Sequence, residues 1–105
     1  MAEACEAIIN HIGDKVVYIN VDNNLSIDCD CNGNPDPAEL ADLGIFASLD
    51  PVAVDRACVD AVRQSPGHGK QHLIERIEAR RAPHLLDYAE QLGLGKQRYN
   101  LVEIK

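Results

Sequence analysis

Residues Asp28 to Glu39 read DCDCNGNPDPAE, and two kinds of metal ligand alternate within them. Cys29 and Cys31 offer soft thiolates, whereas Asp28, Asp30, Asn32, Asp36 and Glu39 offer hard oxygens. Read as oxygens alone, Asp28, Asp30, Asn32, Gly33 and Glu39 satisfy the bare spacing of an EF-hand calcium loop. The surroundings oppose that reading. Pro35 stands where an apolar residue normally pairs two such loops, Pro37 stiffens the exit, and the residues upstream favour strand over helix. Read as thiolates, two Cys separated by one residue can reach a single soft ion, with Asp or His completing the shell.

Tetrahedral zinc and iron–sulphur sites take four ligands, and this pair supplies two. Cys58 is a candidate third, although its place on an apolar helical stripe favours a buried, inert thiol. Cys5 falls on an N-terminal helix and reads as core or surface. His68 and His72 are four apart, but Gly67 and Gly69 interrupt any helix through His68. The alternative is a plain polar loop whose Asn and Asp side chains bond their own backbone. That alternative leaves two Cys unexplained among carboxylates, which raise thiol pKa values and oppose a redox nucleophile. A bound cation would offset the crowded negative charge.

The elements around the loop follow from apolar periodicity and turn residues. Ala2 to His11 carries helical spacing that Gly13 ends. The run KVVYINVD is β-branched and partly alternating, so it predicts a strand. A polar stretch, residues 23–40, separates it from a second strand in DLGIFAS; loops of that length in compact domains usually have a use. Asp50 and Pro51 then cap and open a helix whose stripe is Val54, Ala57, Cys58, Ala61 and Val62. Pro66 and Gly67 stop it. Two further helices are expected near Lys70–Arg80 and Pro83–Leu92, with Gly93 at the C′ position. RYNLVEIK reads as a last strand.

The expectation is one domain over residues 1–105: a small layered α/β domain of about three strands and four helices, with the loop inserted between two strands. So small a sheet has vulnerable edges, which suggests self-association or a partner chain completing the fold.

Composition narrows the function classes. The chain has 105 residues, 46% hydrophobic and 26% charged, with one Phe and no Trp, so its core must be aliphatic. A net charge of -7 argues against nucleic-acid binding and against docking on anionic membranes. No apolar run is long enough to span a membrane and no secretory leader is recognisable. The protein therefore reads as cytoplasmic, with its four cysteines reduced or metal-bound.

Several segments occur in a telling order: YINV, DCDC, Asp36 beyond it, DLGIFASLDPVAVDRAC and LGLGKQRYNLVEI. Together they resemble the C-terminal part of the domain of unknown function 362 family, uncharacterised proteins often described as containing an iron–sulphur centre. The resemblance implies that Asp28, Cys29, Asp30, Cys31 and Asp36 match the family's acidic-cysteine motif. Asp42, Asp50 and Asp55 fall in its D-x-G-I and D-P-V-A-x-D segments. It makes the EF-hand spacing coincidental. It also implies a fragment of a larger α/β fold, since members are usually longer and many add a ferredoxin-like segment lacking here. The structural role of Asp50 is a helix cap, and that of Asp55 is a charge favoured by the helix dipole.

Three functions follow: a domain with a metal or iron–sulphur site in the loop, an oligomerisation module, or a carboxylate enzyme. The first implies zinc, iron or an iron–sulphur cluster as cofactor, with calcium less favoured. For the third there is no pairable Ser-His-Asp, no H-E-x-x-H, and no P-loop spacing in GLGKQR.

Overall fold

A computed structural model of the chain describes residues 1–28 and 31–105; Cys29 and Asp30 lie outside the described residues. In chain order the elements are α1 (Ala2–Ile12), β1 (Tyr18–Asp22), β2 (Gly44–Ser48), α2 (Pro51–Gln64), α3 (Lys70–Ala79) and α4 (Ala82–Gln91).

Helix α2 is the hub, packing on β1, β2, α3 and α4. Its start is set locally. Asp50 is extended, and its Oδ1 accepts from the Val52 and Ala53 amides at 2.9 Å each. Pro51 takes the first helical position, where its missing N–H has no partner to lose. Val52, Ala53, Val54, Ala57 and Val62 are buried. The central cluster joins Ala2, Val52, Leu86 and Ala89, with Leu85, Tyr88, Leu92 and Leu94 packed against it. It is aliphatic apart from Tyr88, as the composition requires.

Helix α4 ends in a Schellman motif. Gly93 has φ +79, its amide bonds Glu90 O at 3.0 Å, and the Leu94 amide reaches back to Ala89 O at 3.1 Å. Helix α1 meets the body through α4, where the Tyr88 hydroxyl donates to Glu3 Oε1 at 2.9 Å.

Strands β1 and β2 pair antiparallel, Tyr18 opposite Ser48 and Asp22 opposite Gly44. The sheet turns an unusual face to the body. Asn20 and Asp22 point towards α2, while Ile19, Val21 and Ile45 are exposed on the other side at 59%, 56% and 71%. Asn20 Nδ2 donates to Asp55 Oδ1 at 2.8 Å and meets Cys58 Sγ at 3.4 Å, so the strand–helix contact is polar. Asp22 Oδ2 is sealed there without a hydrogen-bond partner among the described residues.

The expected third strand is corrected. Residues 98–105 form no regular structure, and among the described residues no backbone hydrogen bond joins them to β2. Strand-forming residues make a strand only when a ladder partner is within reach. Here the Tyr99 hydroxyl is instead drawn to Asp60 Oδ2 at 2.8 Å on α2, and a groove separates the segment from β2.

Candidate functional site

The acidic-cysteine loop leaves β1 and returns to β2, and its base is closed by two bonds. The Leu43 amide donates to Asp22 O at 2.8 Å, and the Asn24 amide donates to Asp42 Oδ1 at 2.8 Å. Asn24 has φ +49, a left-handed conformation that Asn tolerates better than most residues. Within the loop the polar side chains bond locally: Asn32 Oδ1 accepts from the Asn34 amide at 3.1 Å, and Ser26 Oγ donates to Asp28 O at 3.1 Å. Asn32 Nδ2 lies 3.4 Å from Asp28 Oδ2.

Helix α3 holds the loop at both ends. Arg76 Nη2 is 3.1 Å from Asp28 Oδ1, and His72 Nδ1 is 2.8 Å from Glu39 Oε2. His72 and Arg76 are four residues apart, so they stand one turn apart on one face of the helix. A third contact lies just ahead of the helix, where Gly69 passes so close to Glu39 that a Cβ there would run into the Glu39 carbonyl oxygen. Between these contacts lies an open recess of about 440 Å³ lined by Ile27, Glu39, His72, Glu75, Arg76 and Ala79.

The hydrogen bond to the Glu39 carboxylate is the chief cause raising the His72 pKa above its ordinary value, and the charge of Glu39 adds to it. The raised value fixes the sign of the pH dependence. The bridge contributes fully below the ordinary imidazole range and is lost as pH rises through the folded-state value. In an NMR titration His72 should titrate above 6.5, and Glu39→Gln should return it towards 6.5. An unshifted His72 in the parent protein would remove this clamp.

The sequence-predicted site residues fall as follows. Asp28 is paired with Arg76, Cys31 and Asp36 are exposed, and Cys29 and Asp30 lie outside the described residues. Among the described residues no group of three or more His, Cys, Asp and Glu is disposed to hold a metal ion. The calcium spacing has its first and last ligands, Asp28 and Glu39, engaged by Arg76 and His72.

Cys58 stands apart, between β1 and α2. Burial, helped by the Asp22 and Asp55 carboxylates and opposed by the Asn20 hydrogen bond, pushes its thiol up to about 12. It is a neutral thiol at physiological pH. Cys5 is exposed on α1, and His68 sits in a bend before α3, out of line with His72.

The two distant segments singled out by sequence meet at Asp50. Its Oδ2 accepts from the Lys96 amide at 2.9 Å, and its own amide donates to Ser48 Oγ at 3.0 Å. Gly95 lies so close that a Cβ there would collide with the Asp50 carboxylate. Gln97 continues the lock, donating to Asp87 at 2.8 Å and Glu90 at 3.0 Å and accepting from Arg56 at 3.3 Å. Asp50 thus both caps α2 and holds the Lys96 turn, while Asp55 accepts from Asn20 of β1.

Arg76 was not singled out by sequence, and Asp42 was named only through the D-x-G-I segment, without its bond to the Asn24 amide. The available signal was a helix carrying His72 and Arg76 one turn apart in a chain whose loop is strongly acidic.

No helix among the described residues is long and apolar enough to cross a membrane. No curated protein and no solved structure matches the chain at a significant level. Residues 1–60, which span α1, both strands, the acidic-cysteine loop and most of α2, match the family described as Domain of unknown function (DUF362). With more than half of its length matched, the chain belongs to that family.

Proposed function

We propose that this domain binds one thiophilic divalent cation, zinc or iron, in the loop from Asp28 to Asp36. Cys29 and Cys31 supply the thiolates, and Asp28, Asp30 and Asp36 supply the carboxylates. The observation that carries the reading is the triple anchoring of the loop on α3 through Arg76, His72 and Gly69. A segment that only links two paired strands has no need of such fixing, whereas ligands must be held in place to bind. Arg76 also offsets part of the loop's charge in the absence of a cation.

The donor chemistry fits a single ion better than a four-thiolate cluster. Cys58 is a neutral thiol behind β1, and Cys5 lies on α1, whose packing is with α4. Only Cys29 and Cys31 remain to act as thiolates on one chain. A reducing compartment such as the cytoplasm would keep that pair available. When bound, the ion would supply either a structural cross-link or a Lewis acid.

The test is elemental analysis and visible absorption of protein purified anaerobically without a metal-affinity tag. One equivalent of zinc or iron is expected, falling to background in the Cys29→Ser, Cys31→Ser double variant. Full metal content in that variant would sink the thiolate reading.

A further inference from the structure

A groove of about 730 Å³ runs between β2 and the C-terminal segment, with Ala53, Val54 and Ala57 of α2 as its floor. One wall is the edge of β2 that β1 does not occupy; the other is Tyr99–Ile104. Neither wall spends its backbone groups on the other. Both therefore present unpaired donors and acceptors to the same gap, the arrangement that accepts an added strand.

We propose that the occupant is the C-terminal segment of a second copy of this chain. Each copy's residues 99–104 would lie between the partner's β2 and the partner's own C-terminal segment. The sheet then runs β1, β2, partner segment, own segment, partner β2, partner β1, closed about a two-fold axis. The contact is isologous and leaves no groove unfilled.

Three observations favour a second copy over another partner. The segment is made of strand formers, and Leu101, Val102 and Ile104 are 67%, 78% and 93% exposed. These three side chains offer on the order of 400 Å² per copy, and the walls and floor they cover bring the interface towards the roughly 800 Å² per partner of a stable complex. Polarity also matches. Among residues 99–104 and the groove lining only Glu103 is charged, so a largely apolar strand from one copy enters a largely apolar gap in the other.

The inference does not rest on the metal reading, so it is tested in chelator. Light scattering coupled to size exclusion should give twice the 11.5 kDa chain mass at micromolar concentration. Hydrogen exchange should show the amides of residues 45–48 and 100–104 protected in the dimer and released on dilution. Val102→Pro removes one donor from an exposed position, so the helical circular dichroism should be retained while dimer affinity falls at least about 100-fold. A monomer at every concentration up to about 100 µM would overturn the proposal. So would a dimer whose 100–104 amides exchange freely, which would place the contact on the Ile19, Val21 and Ile45 face.

Discussion

Asp50→Ala should lower the unfolding free energy by about 3 kcal/mol, which for a chain of this size is a fall of roughly 10–15 °C in Tm. Two separate losses add. The Val52 and Ala53 amides lose the Oδ1 that caps α2, a loss of about 1–2 kcal/mol. The Lys96 amide loses Oδ2 and with it the contact that fixes the Leu-Gly-Leu-Gly turn, about another 1–2 kcal/mol.

Asp50→Asn separates the two. Its carbonyl oxygen still caps the helix, but its amide nitrogen faces the Lys96 N–H donor to donor. An intermediate loss of about 1–2 kcal/mol is expected. Urea denaturation of the three proteins measures the series, and a loss below about 0.5 kcal/mol for the alanine variant would contradict the double role.

Gly69→Ala has the second large effect, and its sign is informative. Gly69 has φ -60 and ψ -28, ordinary right-handed helical values at the start of α3. By backbone preference alone, alanine there would stabilise the protein by about 0.4–1 kcal/mol. The Cβ nevertheless has to displace the Glu39 carbonyl, a backbone atom that cannot swing aside as a side-chain end can. A net destabilisation of about 1–3 kcal/mol is therefore expected, in the range of overpacked sites. A local signature accompanies it: pushing Glu39 off α3 breaks the His72 bridge, so the His72 pKa should fall back towards its ordinary value. A variant more stable than the parent, with His72 still raised, would mean the loop does not bear on α3.

These two positions also mark what the sequence could reveal. The cap and start of α2 were legible because Asp50 and Pro51 act on neighbours two and three residues away. The stop at Gly93 was legible for the same reason. Both paired strands were recognisable, β1 from its β-branched residues and β2 from its short apolar run. The last segment, RYNLVEIK, has the same local preferences yet forms no strand, because a ladder partner is a property of the fold and not of the segment.

The candidate site divides along the same line. Its loop announced itself by composition, but its anchors did not. Asp28 and Arg76 lie far apart in sequence, as do Glu39 and His72, and contacts of that kind leave no periodic trace. Asp50 was readable as a cap; its second bond to Lys96, |i−j| of 46, was not.

The placement of the loop between two directly paired strands has a kinetic consequence. Asp22 and Gly44 are ladder partners, so the whole of residues 23–43 must be closed before the hairpin can form. The closure entropy grows only logarithmically, about 0.6 kcal/mol per doubling of length. Folding should therefore nucleate in the contiguous helices α2–α4 and zip the hairpin late. The same weak length dependence means that closure itself sets little limit on the length of this loop; its anchors on α3 at Asp28 and Glu39 set it instead.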